Sequence, residues 1–181
     1  MQPTSIVVRR ASDDDHELII ELHARSQLAT YGGLLDDDAR RRIPVSVREF
    51  WADWRSAPAR EGLLLVASCG ETLAGFALCE STTHGMMLRS LHVDDVFRGR
   101  GIGSVLLEEI SNWCSKRGVL GLVLHVVRGN MAARSFYETH GWRLVPGSVP
   151  HAIGGRPVEV VRYERLLDGP MPDPPRYSTR P

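Results

Sequence analysis

The apolar and polar positions alternate in two textures along the chain. Ser5 to Arg10 is short and β-branched, which predicts a first strand. Ser12 follows, with Asp13, Asp14 and Asp15 behind it and apolar positions at Leu18, Ile19 and Leu22. A serine N-cap with acids in the first turn suits the exposed amides and positive end of a helix, here predicted to run to about Ala29. Tyr31-Gly32-Gly33 breaks it. Asp36-Asp37-Asp38 then repeats the acidic start; Pro44 interrupts this second helical stretch, and Val47, Phe50, Trp51 and Trp54 resume it. From Gly62 strand patterns take over. Leu63–Ser68 and Thr72–Glu80 flank the turn Cys69-Gly70-Glu71, and Met86–Val93 forms a further strand. Gly101–Arg117 is helical, with Ile102, Leu106, Ile110 and Trp113 in one stripe and Gly118 as its stop. Leu120–Val127 is nearly continuously apolar, the mark of a strand buried on both faces. Asn130 caps a short helix to about His140, and Trp142–Val145 and Pro157–Leu166 supply two last strands.

The order β-α-α-β-β-β-α-β-α-β-β predicts an α/β fold, a mixed sheet of about seven strands with about four helices on both faces. One domain is expected over 1–167. Residues 168–181 hold five of the eleven prolines and read as a disordered or extended tail. The 181 residues carry 22 basic and 22 acidic side chains, and this zero net charge excludes a broad nucleic-acid surface. No apolar run approaches the ~20 residues that span a bilayer, and MQPTSIVVRR lacks the apolar core of a signal peptide. The three scattered cysteines, Cys69, Cys79 and Cys114, suit buried thiols in a reducing cytoplasm, with no disulfide framework and no metal site.

Chemistry concentrates in Val93-Asp94-Asp95-Val96-Phe97-Arg98-Gly99-Arg100-Gly101-Ile102-Gly103-Ser104, between a strand and an amphipathic helix. Glycines let bare N–H groups approach a ligand, and the helix start favours an anion, so the segment fits a pyrophosphate. Its plainer reading is a glycine-rich connection with solvated arginines. A Walker loop would need a lysine before Ser104, and a dinucleotide fingerprint needs G-x-G-x-x-G after a first strand. Neither matches.

Arg98-x-x-Gly101-x-Gly103 resembles the pyrophosphate-binding signature of the GNAT superfamily of acyl-CoA-dependent N-acyltransferases. Leu124-His125-Val126, Asn130-Met131-Ala132-Ala133, Phe136-Tyr137-Glu138 and Gly141-Trp142 resemble the family's following strand-helix-strand element. The likeness spans roughly Met86 to Trp142, and more loosely Ser5 to Leu166. It implies acetyl-CoA as acyl donor, with no metal, and an amine as acceptor. It also implies that the strand before the glycine loop splays from its neighbour after Val126. The pantetheine arm would lie along Leu91, His92 and Val93, and amides from Arg98 through Gly99, Arg100, Gly101, Ile102 and Gly103 to Ser104 would hold the pyrophosphate. Asn130 falls where the family asparagine bonds the pantetheine side; a plain N-cap explains it as well. Tyr137 falls where the family phenol faces the cofactor sulfur, and a phenol of pKa ~10 suits a general acid toward a departing thiolate. A core tyrosine is its alternative. Asn130 and Tyr137 are placed on one helix face, with Phe136 turned into the core.

The base is open. Where family members often carry a glutamate, this chain offers Met87, Leu88 and Arg89. His125 occupies the other common position, and an imidazole of pKa ~6.5 suits proton transfer at neutral pH; a structural histidine is its alternative. Glu80, His92 and a water chain are further choices. Tyr31–Trp54 and a loop Pro146–Arg156 are expected to shape the acceptor site. Asp36, Asp37 and Asp38 suit a cationic amine or a helix start, and Trp51 and Trp54 suit the core better than a substrate platform. Two functions follow: an acetyl-CoA-dependent N-acetyltransferase acting on a small-molecule or protein amine in a ternary complex, and a non-catalytic acyl-CoA-binding regulatory module. Either is expected as a monomer or homodimer.

Overall fold

A computed structural model describes residues 5–57, 61–83 and 85–167; the tail expected over 168–181 lies outside the described residues. Seven strands, β1 (Ile6–Arg10), β2 (Gly62–Cys69), β3 (Thr72–Thr82), β4 (Gly85–Val93), β5 (Gly121–Val127), β6 (Arg143–Ile153) and β7 (Arg156–Leu166), form one sheet. The order across it is β1-β2-β3-β4-β5-β7-β6, and only β4 and β5 run parallel. Four helices complete the mixed α/β fold: α1 (His16–Tyr31), α2 (Asp37–Ser56), α3 (Ile102–Ser115) and α4 (Met131–Thr139).

The helices start where local chemistry puts them. The Ser12 amide and hydroxyl both donate to Asp15 Oδ2, at 2.7 and 3.0 Å, and the Arg9 guanidinium clamps the same carboxylate at 2.6 and 2.8 Å. Asp36 Oδ1 accepts from the Ala39 amide at 2.9 Å and caps α2. Pro44 does not interrupt α2. It sits on the exposed side, where the carbonyl it leaves unbonded is open to solvent.

One core lies between the sheet and α1/α2, where Ile19, Leu22, Ile43, Val47 and Trp51 pack on Phe76 and Leu78. A second lies on the opposite face, where Ile102, Leu106 and Ile110 of α3 meet Ala77, Cys79, Leu122 and Leu124. Cys114 takes the stripe's last buried place; Trp113 is half-buried under Arg117. The strand buried on both faces is β3, from Leu73 to Glu80. The expectation for β5 needs correcting: Leu122, Leu124 and Val126 are buried, whereas His125 on the other face is exposed. Helices cover both faces of β3, but the α1/α2 layer leaves part of β5 open.

The expected loop Pro146–Arg156 is largely strand. β6 continues through a bulge between Val145 and Ser148 to Ile153 and turns at Gly154-Gly155, both at positive φ, into β7. As the outer strand of the sheet, β6 tolerates Pro146 and Pro150 because an edge amide needs no partner. The hairpin tip seats on α2. Ile153 joins the α1/α2 core, and a Cβ on Gly154 would stand 2.1 Å from the Ala39 carbonyl oxygen. Among the described residues, no helix is long and apolar enough to cross a membrane.

Candidate active site

The site begins as a fork in the sheet. β4 and β5 pair only at Met86↔Leu122 and Met87↔Val123. They part after Val123, earlier than the expected Val126. A bulge explains the early divergence: Leu78 faces Ser90 and Cys79 faces Leu88, so Arg89 is one residue too many in β4. An added residue bends and twists its strand, here away from β5. Beyond Met87 one edge of β4 keeps β3 beside it, through Val93, while the β5 edge has no strand partner among the described residues.

A cavity of about 770 Å³ fills the fork. Of the residues singled out in the sequence, Leu91, His92, Val93, Arg98, Gly99, Gly101, Ile102, Gly103, Ser104, His125, Asn130 and Tyr137 line it. Arg100 does not; its guanidinium lies over the Phe97 ring at 5.2 Å, so the turn aims it away. Gly101 is the N-cap of α3 at φ +80°, and a Cβ there would meet nothing within 4 Å. The first-turn amides of α3, with no intrahelical carbonyl to bond, therefore open onto free space. The expected cradle is narrower at one end, because the Arg98 amide donates to the Asp95 carbonyl at 3.3 Å. The Arg98 side chain is held by Asp95 at 2.7 Å and Thr30 Oγ1 at 3.2 Å, and the Ser104 hydroxyl by His140 Nε2 at 2.9 Å.

Asn130 takes the capping role considered for it and adds a tie to α1. Its Oδ1 accepts from the Ala133 amide at 3.1 Å, capping α4, while its Nδ2 donates to Tyr31 Oη at 3.2 Å and ties α4 to the end of α1. Tyr137 shares the cavity wall and is 8% exposed. Burial, and then the neighbouring Tyr31, push its phenol well above the usual range, so it stays protonated. Tyr31 is likewise raised by burial, with the Asn130 bond opposing. Phe136 is only half-buried; it lines the cavity beside Gly103 and also packs on the α3-side core.

The candidate bases separate clearly. His125 is exposed to the cavity, and partial burial, Arg162, His151 and Arg89, in that order, hold its imidazole below the usual value. His92 also lines the cavity, but burial drives its pKa far down, and its Nδ1 pairs with Ser26 Oγ at 3.0 Å. Its ring stacks on Phe76 and lies 4.3 Å from His23. Glu80 does not line the cavity. It is 2% exposed and accepts from Trp54 Nε1 at 3.0 Å, with Arg89 Nε at 3.6 Å. Trp51 is a core residue, donating to His23 Nδ1 at 3.1 Å. Asp37 and Asp38 pair with Arg40 and Arg41 on the surface.

Sequence reasoning passed over Ser26 and Thr30, which reach the cavity from α1 beside Tyr31. Their i, i+4 spacing put them on one helix face, but nothing local says which face meets the fork.

The Acetyltransferase (GNAT) family model matches residues 27–142. The spermidine N(1)-acetyltransferase of Thermoplasma acidophilum is 29% identical over 147 residues, 77% of this chain and 89% of that protein. The [ribosomal protein bS18]-alanine N-acetyltransferase of Salmonella typhimurium is 34% identical over 80 residues, 44% of this chain and 54% of its own length. In fold, the chain is similar to the PaiA N-acetyltransferase of Thermoplasma acidophilum in complex with coenzyme A. The TM-score is 0.72 at 23% identity, over 90% of this chain and 99% of that one. The ribosomal-protein-S18-alanine N-acetyltransferase of Escherichia coli gives 0.71 at 18% identity, over 96% and 100%. Family and relatives favour the catalytic reading over a binding module. The forked sheet, the glycine cradle and the α4 tyrosine thus stand in a chain that belongs to the GNAT acetyltransferase family, and the protein is an acyltransferase.

Proposed function

We propose that the protein transfers an acetyl group from acetyl-CoA to a primary amine by direct attack in a ternary complex. The observation that carries this reading is the fork: a strand edge without a partner leads from the first-turn amides of α3 to the Tyr137 phenol. An extended arm bearing amides can bond to such an edge as a strand would. A diphosphate suits the start of α3, where Gly101 and Gly103 leave room and no carboxylate lines the cavity among the described residues.

In the reaction the amine nitrogen bonds the thioester carbon as the C–S bond breaks. Tyr137, protonated throughout the working pH range, donates to the sulfur as negative charge develops there and hands over its proton as the thiolate leaves. His125, neutral at pH 7, takes the proton the attacking amine loses. Asn130 and Tyr31 hold α4, and with it Tyr137, against α1. His92, engaged with Ser26, shapes the wall, while Glu80, engaged with Trp54, stands behind it.

The test is acetyl-CoA-dependent thiol release across a panel of small amines and peptides. Turnover with at least one acceptor is expected. Binding of acetyl-CoA without turnover on any acceptor would refute the reading.

A further inference from the structure

Among the described residues, the cavity is lined by two arginines, Arg98 and Arg89, and by no aspartate or glutamate. Arg98 belongs with the glycine cradle. Arg89 is the bulge residue of β4, at the opposite end of the strand's open stretch. Its guanidinium is braced: Nε faces Glu80 Oε1 at 3.6 Å, and the Phe50 ring of α2 lies 5.7 Å below it. Glu80 is buried and accepts from Trp54, so its charge sits behind the arginine, on the Nε side. The outer edge of the guanidinium, its two Nη groups, makes no hydrogen bond among the described residues. The side chain is 44% exposed. A planar cation held by its inner edge, with its outer fork unused, is the geometry that takes a carboxylate bidentately.

Burial first, with Arg89 as a lesser cause, holds the imidazoles of His125 and His151 below the usual value, so both are neutral at pH 7. Arg162, in register with His125 on β7, is a second cation, paired with Glu164 at 2.5 Å. This end is also confined. Phe50 belongs to α2 and His151 to β6, and these elements touch where Gly154 meets Ala39 and Ile153 enters the α1/α2 core.

We propose, building on the acetyltransferase reading, that the acceptor is a small primary amine that also bears a carboxylate, an amino-acid-like molecule whose carboxylate is held by Arg89. A polyamine would bring a second positive charge toward this guanidinium and is disfavoured.

The experiment measures kcat and KM for thiol release with acetyl-CoA and matched acceptor sets. Each set holds an amino acid, its carboxamide, the amine lacking the carboxylate, and a peptide beginning with that residue, with spermidine as a separate arm. The amino acid is expected to have the highest kcat/KM of its set. Arg89→Gln is expected to raise its KM about tenfold or more while leaving kcat within about threefold, because the group binds and does not react. Arg89→Glu is expected to shift preference toward the amine without the carboxylate. Acetyl-CoA affinity, measured on each variant, reports that the fold and the cradle are intact. Equal turnover of acid and amide, preference for the peptide or spermidine, or an unmoved KM in Arg89→Gln would each overturn the proposal. Acetyl-CoA binding with no turnover of any acceptor would instead remove the acetyltransferase reading, and this proposal with it.

Discussion

Tyr137 holds its proton because it is buried and faces a second phenol, and that is the state a donor to sulfur must start from. Tyr137→Phe removes one oxygen and keeps the ring's contacts with Trp142 and Phe136. We expect kcat to fall well over tenfold, on the scale of ~10²–10⁴ for a general acid, with acetyl-CoA affinity unchanged by titration calorimetry. His125 makes a prediction of opposite sign. Its pKa is lowered, so the neutral form that accepts a proton persists to lower pH than for a free imidazole. The pH profile of kcat should therefore lose activity only below about pH 6.5, as the ring gains its proton. His125→Ala should remove that acid limb and lower kcat about tenfold or more. A limb unchanged in the variant would exclude His125 as the base.

The β6–β7 hairpin is the element whose reading changed most. Pro146, Gly147 and Pro150 look like breakers in sequence, and pairing with β7 along a sheet edge overrides them. Its tip depends on glycine at one point above all. Gly154 has φ +57°, and its missing Cβ makes way for the Ala39 carbonyl. Gly154→Ala should destabilise the protein by at least about 2 kcal/mol in urea titration, since left-handed backbone alone costs a side chain ~1–2 kcal/mol before the clash. Gly155→Ala, whose Cβ would meet only the flexible Arg42 side chain, should cost about half as much. Similar losses would mean that the tip is not seated on α2. The helix starts, by contrast, were legible residue by residue: Asp36 and Asn130 stand where the sequence predicts, and Ser12 opens a 3-10 turn, Asp13–Asp15, that runs into α1 at His16.

At the scale of the molecule, the fork joins both cores. α3 and β5 belong to one and α1 to the other, with β3 between them, and a ligand in the cavity would touch walls built on each. Acetyl-CoA at a hundredfold its Kd should add ~2.7 kcal/mol to stability, and a chain of this size gains ~2–4 °C per kcal/mol. A rise in Tm of about 5–10 °C is expected in a thermal-shift series. Gly101→Glu should abolish the rise by placing a carboxylate in the phosphate cradle at a left-handed position. A full shift in that variant would remove the cradle assignment.

The sequence by itself determined what depends on neighbours a few residues away. Caps, the apolar stripe of α3, the strand texture and the glycine run before Gly103 are set by local hydrogen bonding and periodicity, and so was the order of elements. The family likeness was readable for the same reason, because its two motifs are short and contiguous. Tertiary structure alone decided where β4 leaves β5, since a bulge at Arg89 shows only against the register of β3. It also decided that Tyr31 reaches Asn130, 99 residues away, and that a buried Glu80 and Phe50 brace Arg89 at the cavity. Those contacts join elements distant along the chain, and their energies depend on how layers pack, which no local pattern of residues encodes.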